Sequence, residues 1–159
     1  MKASYKCVGL IKRSETFRRW PYLCPAGKAT KGYGSTFNLD GIAVSMDDGP
    51  ITEPQALELL YATLTQYEDA VTDMVTVDLT QGQFDALVDL AYNIGRTALR
   101  NSTLMKLLNE GDYAGAGEQI SLWTHGGGHT LPGLVIRRAE DLVLWNSSEM
   151  LILNPTIGK

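Results

Sequence analysis

The pattern of the chain changes at about residue 52, and that change constrains the fold more than any other feature. Between residues 20 and 50, Pro21, Pro25, Gly27, Gly32, Gly34, Gly41, Gly49 and Pro50 interrupt short polar and aromatic stretches, and such punctuation forbids long helices. Residues 22–24, 28–33 and 41–46 are the expected strands of a small antiparallel sheet, with Pro25-Ala26-Gly27 turning the chain between the first two. Beyond Thr52 the spacing is helical. Thr52 caps a helix while Gln55, three positions on, returns the hydrogen bond, and Leu57, Leu60, Leu64, Tyr67 and Val71 form one apolar stripe, which predicts a helix to near Asp73. Thr80 and Gln83 repeat the box ahead of Phe84, Leu87, Val88, Ala91 and Ile94, with Gly95 as the stop, and this second helix is expected at the centre of the core. Ser102 caps a helix over 103–109 that ends at Gly111. Asp112 caps another carrying Tyr113, Ala116, Ile120 and Trp123. After the Gly126-Gly127-Gly128 break, expected to be a mobile connection, a last helix covers 134–145 with Pro132 near its start.

A short N-terminal helix with Val8, Leu10 and Ile11 on its apolar side completes an α+β arrangement. A small β-bearing lobe (about 15–52) precedes a larger helical lobe (about 53–145, with the N-terminal helix), and a loose tail follows from 146 to 159. The 159 residues suit one domain with a core of its own, and a cleft is expected where the lobes meet.

Hydrophobic residues make up 44% and charged residues 20%, far from the signature of disorder. With 14 Lys and Arg against 18 Asp and Glu the net charge is -4, so no global positive field gathers nucleic acid or anionic lipid. Neither a signal peptide nor a membrane-spanning run is recognisable. Cys7 and Cys24 are too few for a disulfide framework and read as free thiols, Cys7 as a small apolar group of the first helix. His125 and His129 straddle the glycine run without a third ligand, so neither a metal nor a cofactor is expected. Trp123 and Trp145 fall on apolar stripes and read as core.

Chemistry concentrates around Glu15. It ends the N-terminal helix just before Phe17, Trp20 and Tyr22, facing the lobe junction, and a carboxyl half-buried among such groups holds its proton more tightly, as a general acid must. Eight residues separate Glu15 from Cys24, and five separate Cys24 from Thr30. If the strands pair as predicted, Cys24 and Thr30 flank the turn opposite the helix end. Glycoside hydrolysis needs this layout: an acid on one side of the scissile oxygen and, on the other, a group that positions or deprotonates water or attacks the sugar.

Glu-x8-Cys-x5-Thr resembles the signature of the phage lysozyme family, glycoside hydrolase family 24, in which the middle position is Asp or Cys. Tyr22-Leu-Cys-Pro-Ala-Gly27 with Thr30-Lys-Gly-Tyr-Gly-Ser-Thr36 is similar to that family's catalytic hairpin. Ile51-Thr-Glu-Pro-Gln-Ala56 is similar to the start of its interlobe helix, Leu79-Thr-Gln-Gly-Gln-Phe-Asp-Ala-Leu-Val88 to its central helix, and Gly133-Leu-Val-Ile-Arg-Arg-Ala-Glu140 with Leu144-Trp145 to its last. The resemblance covers roughly residues 8 to 145. It implies a two-lobed lysozyme-like fold and cleavage of the β-1,4 bond between N-acetylmuramic acid and N-acetylglucosamine, with Glu15 as acid, Cys24 in the second position and Thr30 helping to hold the attacking water. Cys24 departs from the carboxylate that many members carry, and a thiol is mostly neutral at pH 7 unless Lys28 or an Arg lowers its pKa. Base, nucleophile and water-orienting group all remain open for it. Ser35 stands where relatives often have His.

Tyr33, Ser35, Arg137 and Arg138 are the candidate substrate-binding residues, and one of the two arginines is placed to pair with Glu15 and hold its carboxyl. Peptidoglycan glycan strands are the implied partner. The resemblance further implies an endolysin: a monomer that waits in the host cytoplasm, without membrane insertion of its own, until a holin opens the way to the periplasmic wall, or else a virion-associated lysin. Two competing functions differ at the second group. A lytic transglycosylase uses the substrate's own hydroxyl and needs no Cys24, and an inactive wall-binding or virion structural domain needs no acid; the intact spacing argues against both.

Overall fold

Thr52 and Thr80 each accept from the backbone N–H three residues on, and Gln55 and Gln83 each reach back to the capping residue's own N–H. Both predicted boxes therefore form and fix the starts of the two helices they open. In the computed structural model, which describes residues 1–147, the order is α1 (Tyr5–Glu15), β1 (Arg18–Leu23), β2 (Ala29–Gly32), α2 (Glu53–Met74), α3 (Gln81–Ile94), α4 (Arg96–Arg100), α5 (Thr103–Asn109), α6 (Tyr113–Ile120), β3 (His125–Gly126), β4 (His129–Thr130) and α7 (Pro132–Trp145). The tail expected from residue 146 lies, from 148 onward, outside the described residues.

The core gathers on α3. Every residue from Phe84 to Ala91 is buried, so the helix has no solvent face, and α1, α2 and α7 pack around it. Leu10, Ile11, Leu60, Leu64, Leu87 and Leu90 are among the fully buried side chains. Residues 2–4 lash the start of α1 to the neighbouring helices: Lys2 Nζ lies 2.7 Å from Glu68, the Ala3 N–H donates to Glu68, and Ser4 bonds Asp85 through both its N–H and its hydroxyl. α2, about 33 Å long at 1.5 Å per residue, meets β2 near its start and α3 and α4 farther along.

The small lobe departs from its expected outline. β1 begins at Arg18 rather than residue 22, and its register is irregular between Arg18 and Tyr22. Pro21, which cannot donate, explains the irregularity. β2 stops at Gly32, whose φ of +66° turns the chain out of the ladder. Residues 41–46 form no strand, only an isolated bridge between Phe37 and Ala43. There Gly41 is left-handed and Asp40 caps the Ile42 N–H, while Lys31 Nζ, 2.9 Å from Asp48, and Asn38 anchor the loop through side chains instead of a ladder.

In the large lobe α4 was not legible, being five residues long with no side-chain cap. Trp123 falls beyond α6, and α7 starts two residues early, with Pro132 in its first turn. The glycine run is not a loose connection. Gly127 and Gly128, with φ of +59° and +83°, turn a short β3–β4 hairpin, the tandem left-handed pair that two-residue hairpin loops require. Trp145 is buried and Trp123 packs partly buried against the core, as their stripes implied.

Candidate active site

Glu15 is placed by the end of α1. Cys7, Val8, Leu10 and Ile11 bury the helix against the core, and at Thr16, with φ +57° while its N–H still bonds the Lys12 carbonyl, the chain swings into β1. A β-branched residue with positive φ is strained by roughly 1–3 kcal/mol, and this strain lies next to the candidate acid. The Glu15 side chain is 26% exposed and accepts from Arg137 Nη1 at 2.7 Å. Its other oxygen rests near Gly34, where an added Cβ would lie 3.8 Å from Oε2 and 3.1 Å from the Tyr92 hydroxyl. Gly34, at φ +96°, supplies the close approach that a side chain would obstruct. Tyr92 in turn donates to the Tyr33 carbonyl at 2.5 Å. Burial, and then the Glu15 charge, push the Tyr92 phenol far up, so it serves only as a fixed donor.

Arg137 is buried and held from behind. Its Nε and Nη2 donate to the two oxygens of Asp89, both at 2.8 Å. Burial works against its charge, but the fork to Asp89 and then the Glu15 carboxylate outweigh burial and raise its pKa. Arg138 points deeper, donating to Asn93 at 3.1 Å and to Asp89 at 3.3 Å. Its Nε lies 2.8 Å from Asp141, whose two oxygens are shut away from solvent beside the Asp89 carboxyl. Burial first, and Asp89 second, push Asp141 up to about 9 in spite of Arg138. Enclosure in the core and a second carboxyl alongside both favour the protonated form of Asp141.

The hairpin carries the second group. The Cys24 N–H bonds the Lys28 carbonyl and the Gly27 N–H bonds the Cys24 carbonyl, closing a three-residue loop with Gly27 left-handed. Tyr22 pairs with Thr30 across the ladder, and since alternate residues of a strand share a face, Cys24 and Thr30 come together on one side of the hairpin. The Cys24 thiol is half-exposed and its pKa is lowered, chiefly by the Lys28 backbone, against the opposing effect of burial, which ranks second, and with further help from the Ala26 backbone and the Thr30 hydroxyl; the Lys28 charge contributes least. The turn, more than the lysine, favours the thiolate. Thr30 is only 2% exposed. Its single proton has two claimants, the Lys28 carbonyl at 3.0 Å and the Cys24 sulfur.

The candidates thus fall into connected groups. Glu15 joins Arg137, Cys24 joins Thr30, and Tyr22 feels the charge of both Glu15 and Cys24. Tyr33, Ser35 and Arg138 lie beneath the surface instead of lining a binding face. The Tyr33 hydroxyl donates to Glu53 at 2.6 Å, Ser35 meets the Thr63 hydroxyl at 3.3 Å, and Arg138 is enclosed by acids. A cavity of about 550 Å³ opens beside Glu15, lined also by Arg13, Asn93, Leu131, Leu134 and Ile136; Cys24 and Thr30 do not line it. The cysteines are both free, with Cys7 in the core. The His125 ring lies between the Thr124 and Thr130 hydroxyls, and among the described residues no group of three His, Cys, Asp or Glu could hold a metal. Asp89 was missed by the sequence reading. Its signal was present: a helix apolar on every side cannot leave Asp85 and Asp89 in solvent, so each must have a buried partner.

A helix-end carboxyl, braced by an arginine of the last helix and set beside a β-hairpin ahead of a helical lobe, defines a lysozyme-type glycosidase. The family model for phage lysozyme matches residues 12–141, and the chain belongs to the phage lysozyme family. An endolysin of Acyrthosiphon pisum secondary endosymbiont phage 1 is 40% identical over 93% of this chain and 100% of its own length. An endolysin of Bacillus phage PZA is 43% identical over 92% of this chain, which spans 56% of that longer protein. Among solved structures, the muramidase domain of SpmX from Asticaccaulis excentricus superposes with a TM-score of 0.82 at 33% identity, covering 92% of this chain and 98% of that one. No helix among the described residues is long and apolar enough to cross a membrane.

Proposed function

We propose that this chain is an endolysin-type muramidase that hydrolyses the β-1,4 bond between N-acetylmuramic acid and N-acetylglucosamine in peptidoglycan. The observation that carries the reading is Glu15, fixed at the end of α1 by the Arg137 contact of 2.7 Å while still partly open to solvent. Glu15 donates its proton to the leaving glycosidic oxygen as the bond to C1 breaks. Water attacks C1 and gives its proton to the Cys24 thiolate, for which the hairpin backbone lowers the cost of ionisation. Buried Thr30 acts through Cys24, presenting its hydroxyl to the sulfur and orienting it. Arg137 serves the acid, and Tyr33, Ser35 and Arg138 support the walls of the site from behind.

We further propose that the enzyme acts as a monomer, as a single two-lobed domain, and that it accumulates in the host cytoplasm until a holin lets it reach the wall. Likeness to phage endolysins supports this placement. Mass spectrometry of products from purified peptidoglycan tests the reaction. Reducing-end N-acetylmuramic acid is expected; 1,6-anhydro ends would show that the substrate's own hydroxyl attacks and no water-activating group is used, and intact glycan would contradict an enzyme altogether.

A further inference from the structure

The network behind Glu15 does more than neutralise charge. Arg137 has three nitrogens and two acidic partners, and their division is unequal: Nε and Nη2 go to Asp89, both at 2.8 Å, while Nη1 alone goes to Glu15 at 2.7 Å. A planar guanidinium gripped at two points cannot rotate about its own axis, so the direction of the third nitrogen is set by Asp89. Asp89 is itself fully buried. It lies on α3, the most enclosed helix, and Arg138 Nη2 adds a third contact at 3.3 Å. The charges complete the device. Burial and the neighbouring Asp89 push the Asp141 pKa up, and Asp89 faces both guanidinium groups.

We propose that Asp89, which touches no substrate, is a positioning residue for the reaction, holding Arg137 in the one orientation that presents Nη1 to Glu15. The proposal rests on the reading of Glu15 as the general acid. A misplacement of about 1 Å at a reacting group can cost on the order of a hundredfold in rate, so a loosened Arg137 lowers kcat and leaves binding of the glycan unaffected.

The test measures kcat and KM on solubilised glycan strands for wild type, Asp89→Asn, Arg137→Lys, the double variant and Glu15→Gln, each normalised to folded protein by circular dichroism. Asp89→Asn keeps the shape but replaces one accepting oxygen by a donor that repels the guanidinium. A fall in kcat of roughly tenfold or more is expected, with KM within about twofold of wild type. Arg137→Lys keeps the charge but cannot make the fork and reach Glu15 together, so it should fall by a similar factor. In the double variant Asp89→Asn should cost less than about threefold beyond Arg137→Lys, since the two act as one unit. A purely structural Asp89 would lower the melting temperature and leave kcat per folded molecule at the wild-type value, and that result in Asp89→Asn beside an inactive Glu15→Gln would overturn the positioning role alone. If Asp89→Asn does not fold, Arg137→Lys decides, and wild-type kcat there would overturn the proposal. Substantial activity in Glu15→Gln would instead overturn the reading of the acid on which it rests.

Discussion

Asp141→Asn should change how the stability of the protein depends on pH, and the structure fixes the sign. Asp141 is fully enclosed, with its pKa pushed up to about 9 by burial and by Asp89. In the unfolded chain it titrates near 3.9. Between those values the native state carries one proton that the unfolded state lacks, so unfolding releases a proton and is favoured as pH rises. The contribution is complete below about pH 4 and is lost as pH climbs toward 9, at up to about 1.4 kcal/mol per pH unit. The substituted amide would have the shape of the neutral acid and no proton to lose. From pH 5 to pH 8 the variant should therefore gain about 4 kcal/mol relative to wild type, three units at that slope. Urea denaturation at constant ionic strength, followed by circular dichroism at half-unit intervals, measures it. Free energies that run parallel across the interval would contradict this, and would mean that Asp141 is ionised in the core, with the Arg138 contact prevailing over burial.

Two other perturbations probe the site. If Cys24 works as a thiolate, the acid limb of kcat follows its lowered pKa, Cys24→Asp moves that limb to lower pH and Cys24→Ser is nearly inactive; a serine variant with much of the wild-type activity would assign Cys24 to water orientation instead. Gly34→Ala should lower kcat well below that of Gly111→Ala, because both glycines have positive φ but only a Cβ at Gly34 meets Tyr92 and approaches Glu15; equal loss in the two variants would show that the Gly34 contact plays no part in the site.

The helical lobe was legible because each helix announces its start chemically. Thr52, Thr80, Ser102 and Asp112 all cap as their sequence contexts imply, and the apolar stripes then fix which face is buried. The small lobe was less legible. Its chain path is set by side-chain anchors distant in sequence, such as Lys31 to Asp48 and Ser35 to Thr63, and these leave no periodicity. The same holds within the site. The spacing of Glu15, Cys24 and Thr30 is local enough to read, and the Arg137 contact could be suspected. The burial of Tyr33, Ser35 and Arg138 follows only from packing, as does the lowering of the Cys24 pKa by backbone groups of its own turn.

Protonation of the leaving oxygen by Glu15 is tested by the rate of turbidity loss of outer-membrane-permeabilised Gram-negative cells with wild type and with Glu15→Gln, the fold of each verified by circular dichroism. The amide keeps the shape and can still accept from Arg137 Nη1, but it cannot give up a proton. Activity should fall at least about a hundredfold, and a folded Glu15→Gln retaining more than about a tenth of the wild-type rate would contradict the assignment.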